Sequence, residues 1–507
     1  MINPQLFQNR AWYQLELVLL LCGALLPFSF APYGLFWLQF PLLGFLFLSC
    51  LDQKPGVAFR RGFFFSMGWF AHGLHWLFYS LHFHGGMPSS VAVITVVLMA
   101  ACLSLFPAFS LFLSNRFIKT TPLFMLALIY PVNWMLFDWL RGYFLTGFPW
   151  LQPGSAQIDS WLAGYGPLVG GLGIGLMVVV IAGLLALSVL KRKSGSAYFK
   201  TALPLVLGIF MSGFLLNLID WTEPAGEPIK VSMIQGNIAQ ENKWRRDHRW
   251  PTMKMYRELT LQNLQSDLII WPETALPDYR NRVPVYLKQL KDEAEKSGAE
   301  ILLGVFVRNL QTRRYYNSVI TLDGQVYKKR HLVPLGEYFP LRPLLGFFAQ
   351  WVNIPMSDID SGDAEQPLIK VAGQTVGVSI CFEDAFDRNV LLDLPQATLL
   401  VNVSNDAWFE DSPQPWQHHQ IARMRALEAG RTLLRATNTG VSSVIGPKGN
   451  VLAQSAQFRR EVLTFDVQGY QGATPYVLWG NYLLIISALI MLFVFYKMQR
   501  RNKSSTD

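Results

Sequence analysis

The sequence predicts a membrane protein with two parts, a multi-pass α-helical membrane domain of about eight spans and a separate α/β domain. The 507-residue chain is 51% hydrophobic and only 15% charged, a balance that is typical of membrane proteins. Apolar segments of about 20 residues, the length that crosses the hydrocarbon layer, fill the first 220 residues and return near the end of the chain. Between them, short β-branched runs alternate with amphipathic segments, which predicts strands and helices in layers.

The apolar segments define the expected domains. The first is interpreted as a span and not as a signal peptide, because no small-residue cleavage site follows it and Pro27 and Pro32 lead directly into the second. We expect residues 1–220 to hold seven spans, 221–470 to form an extracytoplasmic domain, and 471–507 to hold the last span and a cytoplasmic tail. The predicted spans are 12–30, 34–51, 62–83, 90–114, 121–140, 168–190, 201–219 and 475–497.

The positive charge of the chain predicts its orientation. Residues 221–470 contain equal numbers of basic and acidic side chains, so the formal charge of +9 comes from the remainder. If both termini are cytoplasmic, each basic cluster in that remainder falls on the cytoplasmic side, and Arg141 alone falls opposite. The charge therefore reports topology and gives no support to nucleic-acid binding.

One cysteine requires an explanation. Cys22, Cys50 and Cys102 lie in apolar segments, which leaves Cys381 without a disulfide partner. Cys381 follows the apolar strand 375–380 and precedes charged residues, so we expect the thiol at a sharp turn with a helix starting after it. The end of that helix would favour the thiolate, although a lone cysteine is more often a small buried apolar residue. Zinc-ligand spacing of Cys or His is absent from the sequence, and we expect neither a metal nor a cofactor.

Two further strand ends carry reactive side chains. Glu273 follows the predicted strand 267–271, and Lys329 ends the predicted hairpin 317–329. With Cys381 they form an acyl-transfer set, in which a thiolate attacks a carbonyl, a carboxylate moves protons and an ammonium group stabilises the oxyanion. A lone Glu or Lys is usually a solvated charge, but these two directly follow apolar strands. Strands are predicted at 229–238, 267–271, 301–307, 317–322, 325–329, 376–380, 398–403, 433–436, 441–445 and 451–454, and helices at 249–265, 283–296 and 416–429.

These motifs resemble the three signatures of the nitrilase superfamily. They are Trp271-Pro-Glu-Thr274, Lys329 before His331-Leu-Val-Pro334, and Ile380-Cys-Phe-Glu383. Over its whole length the chain is similar to one group of that superfamily, the apolipoprotein N-acyltransferases of Gram-negative inner membranes. Further matching stretches are 138–142, 147–151, 235–237, 404–409, 415–418 and 422–428.

The resemblance implies a fold and a set of roles. The fold would be an αββα sandwich. Cys381 would be the nucleophile, Glu273 the general base and Lys329 the oxyanion stabiliser. Glu337 would orient or assist Lys329, and Glu383 would be a further essential carboxylate close to the nucleophile.

The remaining expectations concern substrate contacts. Phe382 stands where the family has tyrosine, a change that keeps the backbone N–H of the oxyanion hole, and Trp244 matches a tryptophan on a mobile loop over the site. Asp138 and Arg141 lie at helical spacing, either as a simple ion pair or as a contact to a lipid headgroup or substrate. The aromatic stretch 341–356 is either core or an arm that enters the outer leaflet and admits acyl chains.

By this resemblance, a monomer in the inner membrane would transfer the sn-1 acyl chain of phosphatidylethanolamine through a thioester on Cys381 in the periplasm. The acceptor would be the N-terminal amine of a diacylglyceryl-cysteine apolipoprotein. Three alternatives are considered. A membrane-tethered amidase or hydrolase would need neither the spans nor the aromatic arm. A Cys–His enzyme using His331, His418 or His419 is disfavoured by the Glu–Lys–Cys set. A transporter or receptor with an inactive enzyme domain should show an internal repeat, and no clear repeat is found.

Overall fold

The computed structural model describes residues 12–190, 198–338 and 359–504. The chain forms two compact units. The first comprises Met1–His75, Val93–Ile219 and Leu478–Asp507, and the second comprises Trp76–Ala92 and Asp220–Val477. The short segment Trp76–Ala92 therefore belongs with the α/β part of the chain, although it lies among the predicted spans.

The first unit is helical and apolar. Five helical segments are long and apolar enough to cross a membrane, and two shorter apolar helices precede them. Eight spans remain a prediction, supported at five positions by helices of sufficient length. The five segments are Ser89–Phe117, Pro122–Arg141, Trp161–Ser188, Phe199–Asn217 and Tyr482–Arg500, and the shorter helices are Tyr13–Ser29 and Phe36–Cys50.

The predicted span 62–83 is wrong in its bounds. The helix runs over Pro55–Gly73, with proline in the first turn where its missing N–H costs nothing. From Trp76 onward the chain packs with the second unit, where the Trp76 indole donates to Gln417 at 3.2 Å and meets the Phe409 ring edge-on at 5.0 Å. Hydropathy alone does not reveal these tertiary contacts, because the apolar run continues past Gly73.

The second unit contains twelve described strands. The strands are β1 (Glu223–Gln235), β2 (Leu268–Ile270), β3 (Glu300–Arg308), β4 (Tyr315–Thr321), β5 (Val326–Lys328), β6 (Ile369–Val371), β7 (Gln374–Ile380), β8 (Leu399–Ser404), β9 (Thr432–Thr437), β10 (Ser443–Ile445), β11 (Val451–Gln454) and β12 (Glu461–Gln471). They form two six-stranded sheets, one in the order β12-β1-β2-β3-β4-β5 and one in the order β11-β10-β9-β8-β7-β6. The α-helices that follow β1 in the chain are Arg246–Leu261, Pro284–Glu295, Asp387–Leu391, Gln414–Ala429 and Pro475–Trp479, and the segment Trp76–Ala92 contains the short helix Leu77–Tyr79.

The burial pattern arranges these elements in four layers. Side chains alternate across each strand, so Leu268 and Ile270 enter a core shared by both sheets while Ile269 faces the opposite side. The outer face of the first sheet packs against Arg246–Leu261 and Pro284–Glu295, and that of the second against Gln414–Ala429. The predicted αββα sandwich is therefore confirmed.

Parallel pairing brings the reactive strand ends together within each sheet. In the first sheet β2 runs parallel to β1 and β3, and in the second β8 runs parallel to β7 and β9. Their carboxyl ends thus share one edge of each sheet, where catalytic groups of α/β folds collect. The strands β6 and β12 were not predicted. β12 pairs with β1 over most of its length, and its residues 463–467 do alternate in polarity.

Candidate active site

Cys381 lies at the carboxyl end of β7 in a strained turn. Its φ is +53°, a left-handed conformation that costs a non-glycine residue on the order of 1–3 kcal/mol. Its backbone carbonyl is held by Asn402 Nδ2 at 3.2 Å and by His418 Nε2 at 3.1 Å. A 3₁₀ helix covers Cys381–Ala385, and the α-helix Asp387–Leu391 follows it. The predicted helix after the cysteine is therefore present, but it is only a little over one turn long.

The surroundings keep the Cys381 thiol protonated at rest. Burial raises the pKa of the thiol well above its ordinary value, and the neighbouring Glu273 carboxylate raises it further, while Lys329 acts in the opposite direction. Since the thiolate is the reactive form, this cysteine needs a base beside it to react.

Glu273 is presented by the end of β2. The strand is anchored by Trp271, whose ring stacks on Tyr256 at 4.9 Å and whose indole N–H donates to Thr260 at 3.0 Å. The neighbouring β3 passes so close that a Cβ at Gly304 would lie 2.8 Å from the Glu273 Cα. Only glycine allows this approach, which fixes the backbone that carries the carboxylate.

Lys329 is held between two carboxylates. Its Nζ lies 2.9 Å from Glu337 Oε1 and 3.6 Å from Glu273 Oε1. Burial on its own would lower the pKa of the ammonium, but the two carboxylates outweigh burial and raise it. The side-chain amide of Asn317 bridges the same pair, donating to Glu273 at 2.7 Å and to Glu337 at 3.2 Å. Lys329 therefore stays charged and suits an electrostatic role, not that of a base.

One cavity of about 150 Å³ is lined by Glu273, Lys329, Glu337, Cys381 and Trp244. The Trp244 ring packs against Phe306 with centroids 5.6 Å apart and remains 38% exposed. The predicted nucleophile, base, lysine, second glutamate and tryptophan are thus brought together.

Other predicted residues lie elsewhere. Phe382 does not line the cavity and packs edge-on against Phe386 at 5.0 Å. Asp138 and Arg141 belong to the first unit, where Arg141 Nε bonds Asp138 at 3.1 Å and its Nη1 donates to two backbone carbonyls. The aromatic stretch 341–356 lies outside the described residues.

The hydrogen bonds of Glu383 suit a positioning role. One oxygen accepts the backbone N–H groups of Arg330 and His331, at 2.5 and 2.9 Å, and the other accepts the Ile380 N–H at 2.7 Å and the Tyr327 hydroxyl at 2.9 Å. Burial raises the pKa of this carboxyl to about 7. The side chain thereby ties the loop after Lys329 to the end of the cysteine strand.

Glu383→Ala is expected to slow acyl transfer about 10²-fold, since displacing a reacting group by 1 Å has an effect of that size. The variant leaves three backbone N–H groups and one hydroxyl without their acceptor. Initial rates in detergent, with the alkylation rate of Cys381 as a report on thiol placement, measure the effect. Full activity with unchanged alkylation would contradict the positioning role.

A buried ionic cluster is connected to the backbone of Cys381. Arg435 pairs with Asp406 at 3.0 Å and Asp384 at 3.4 Å, and His418 pairs with the same two carboxylates. Arg435 also donates to the Asn402 side chain at 2.6 Å, which in turn holds the Cys381 carbonyl. His418 thus contacts the backbone carbonyl of Cys381 from within this cluster.

Arg435→Met is expected to lower the free energy of unfolding by about 3–5 kcal/mol, because it leaves buried carboxylates without their cation. The loss is measured by unfolding the protein with denaturant in detergent and following the fluorescence of the second unit. Arg460→Met, at an exposed position, is the matched control and should change the stability little. Equal stability of both variants would show that the cluster is not structural.

His331 and His419, the other two candidates for a Cys–His pair, are poorly suited to act as a base. Burial lowers the pKa of His331 to about 4, and its ring packs on Phe386 with centroids 3.9 Å apart. Burial likewise lowers the pKa of His419 to about 3, and its Nε2 contacts the Ser443 hydroxyl at 2.9 Å. Within residues 12–190, 198–338 and 359–504, no group of three or more His, Cys, Asp or Glu side chains is arranged to hold a metal ion.

Sequence reasoning missed two residues of the cavity. Asn317 begins a predicted strand, and its role as a bridge between two carboxylates has no signal in the local pattern. Lys243 lies in the polar run 241–246, which resembles a solvated loop, yet its side chain is buried and its Nζ donates to the Glu273 backbone carbonyl at 3.1 Å.

The sandwich with its strand-end cysteine, glutamate and lysine defines the class of the second unit as a nitrilase-like carbon–nitrogen hydrolase domain. Residues 230–476 match the carbon-nitrogen hydrolase family, and residues 22–184 match the apolipoprotein N-acyltransferase N-terminal domain. The proteins named apolipoprotein N-acyltransferase from Methylococcus capsulatus, Nitrosomonas europaea and Coxiella burnetii are 41%, 42% and 36% identical to this chain. These alignments cover 95%, 92% and 94% of this chain and 96%, 93% and 98% of the relatives.

The chain therefore belongs to the apolipoprotein N-acyltransferase family. It is a membrane protein and an acyltransferase of the carbon–nitrogen hydrolase superfamily.

Proposed function

We propose that the chain transfers the sn-1 acyl chain of a phospholipid, phosphatidylethanolamine, to the N-terminal amine of a diacylglyceryl-cysteine apolipoprotein. The acyl chain passes through a thioester on Cys381. The observation that carries this proposal is the meeting of Cys381, Glu273 and Lys329 in one cavity, with Glu337 beside the lysine. Family membership supports the choice of acceptor.

The first half-reaction uses the carboxylate of Glu273 as a base and the ammonium group of Lys329 to stabilise negative charge. Glu273 accepts the thiol proton as the Cys381 sulfur attacks the ester carbonyl, and Lys329 stabilises the oxyanion that forms. The C–O bond then breaks, Glu273 returns the proton to the departing lysophospholipid oxygen, and the acyl group remains on sulfur. A base is required because burial raises the thiol pKa, and Lys329 suits the oxyanion because its carboxylate neighbours keep it charged.

The second half-reaction moves the acyl group from the Cys381 sulfur to the nitrogen of the acceptor. The acceptor amine attacks the thioester carbonyl, and Glu273 accepts a proton from nitrogen. The C–S bond breaks, the thiolate recovers that proton, and the new amide leaves. Competition from water is reduced by apolar walls, which include Phe306, Trp408 and Phe409 in the lining of the cavity.

The orientation of the chain in the membrane is proposed from the distribution of its basic residues. We place both termini in the cytoplasm and residues 221–470 in the periplasm of a Gram-negative inner membrane, with the enzyme acting as a monomer. The basic clusters outside this domain support that orientation.

The test is a product assay in mixed micelles. Phosphatidylethanolamine with different sn-1 and sn-2 chains is incubated with the protein and a diacylglyceryl lipopeptide, and the lipopeptide mass is measured. We expect a triacylated peptide that carries the sn-1 chain, and none with Cys381→Ser. Release of free fatty acid without lipopeptide product would instead identify a hydrolase.

A further inference from the structure

Lys243 is a second lysine in the cavity that the reaction as described does not use. It lies on the loop between β1 and the helix Arg246–Leu261, is 5% exposed, and lines the same cavity as Cys381 and Glu273. The hydrogen bond described for its Nζ goes to the backbone carbonyl of Glu273, at 3.1 Å. Among the described residues, no carboxylate forms an ion pair with it. Its charge is therefore not neutralised by direct contact.

The charges of the cavity balance only when Lys243 is counted. Its described lining contains the carboxylates of Glu273 and Glu337 and the ammonium groups of Lys329 and Lys243. Lys329 bonds Glu337 and lies close to Glu273. Without Lys243, two carboxylates would face a single lysine, and the cavity would carry a net negative charge beside the nucleophile.

A net negative cavity would favour the wrong form of the acceptor. An α-amino group has a pKa of about 8, so near neutral pH most of it arrives as an ammonium ion, which has no lone pair for attack. Such an ion would pair with Glu273 and occupy the base that the reaction needs. A like charge nearby disfavours the ammonium form. Burial lowers the pKa of Lys243 to about 8, against the opposing influence of Glu273 and Cys381, so at pH 7 the lysine is still mainly in its charged form.

We propose that Lys243 is a specificity-determining residue whose positive charge keeps the incoming α-amino group in its neutral, reactive form. The proposal rests on the proposed function, because it concerns the second half-reaction. The groups that face Lys243 are Glu273 after β2 and Cys381 after β7, with Lys329 and Glu337 across the cavity. The role is electrostatic, so any permanent cation at this position should perform it.

The test compares two nucleophiles on the same acyl-enzyme. Wild type, Lys243→Met and Lys243→Arg are acylated with phospholipid, and discharge of the adduct is followed by intact mass at pH 7. One nucleophile is a diacylglyceryl lipopeptide with a free α-amine, and the other is hydroxylamine, which is uncharged at this pH. A general disturbance of the site lowers both rates alike and therefore leaves their ratio unchanged.

We expect the ratio of lipopeptide to hydroxylamine rate to fall about tenfold in Lys243→Met, the effect of one pKa unit on the amine. Lys243→Arg should keep the wild-type ratio, and the deficit of Lys243→Met should disappear at pH 9. Lys243→Gln provides a second neutral variant if methionine does not fold.

Two results would overturn the proposal. If the neutral variants slow discharge by both nucleophiles equally, Lys243 has a general structural role. If the ratio of lipopeptide to hydroxylamine rate falls in Lys243→Arg as it does in Lys243→Met, the charge is not the relevant property. A wild-type protein that forms no acyl adduct would instead refute the proposed function, and this inference with it.

Discussion

Cys381→Ser is expected to lower acyl transfer by a factor on the order of 10⁵ to 10⁶, as removal of the nucleophile does in other covalent enzymes. The reason lies in the site itself. Burial already raises the pKa of the thiol, and a serine hydroxyl in the same place would ionise far less readily. The initial rate of lipopeptide acylation in micelles measures the loss.

Cys102→Ser is the matched control for this variant. Cys102 is a free, exposed cysteine in the apolar helix Ser89–Phe117, so its replacement should leave the rate unchanged. If Cys381→Ser kept more than about one hundredth of the wild-type rate, covalent catalysis through this residue would be excluded, because the expected loss is far greater.

Glu273→Gln should slow both half-reactions by about 10³-fold, within the range of general acid–base catalysis. The amide keeps the shape of the side chain beside Asn317 and Lys329 but cannot accept the thiol proton. Burst kinetics with phospholipid measure the first half-reaction, and discharge by lipopeptide measures the second.

The control for the base is Glu258→Gln, which removes an exposed carboxylate paired with Lys254 at 3.7 Å. This change should leave both rates within twofold, since exposed ion pairs contribute little. A Glu273→Gln enzyme that retained one tenth of its activity would show that another group accepts the proton.

The sequence predicted the reactive strand ends because local pattern determines them. Apolar runs stop just before Glu273 and at Cys381, Lys329 ends a predicted hairpin, and parallel strands place their ends on a common edge. The layered α/β class was predicted from the same pattern, whereas the αββα sandwich was implied by the resemblance to the nitrilase superfamily. The strand β12 was overlooked. Its alternation is present, but much of the strand is exposed and lacks the apolar run that marked the others.

The supporting residues were not predictable in this way. Lys243 lies in a polar run, and its buried side chain contacts the backbone of Glu273, which is distant in the sequence. The Arg435 cluster joins residues from four separate elements. Trp76, shortly after the helix Pro55–Gly73, likewise makes a long-range contact, with Gln417 of the same unit. Hydrophobic periodicity contains no information about such long-range pairing.

The central claim is that the acyl chain is carried by Cys381. The most direct measurement is a single-turnover reaction of the purified protein with phosphatidylethanolamine, followed by intact mass and peptide mapping. We predict one sn-1 acyl chain on the peptide that contains Cys381, stable in water and discharged by a lipopeptide with a free amine. Product formation without this adduct, or an adduct on another residue, would contradict the account.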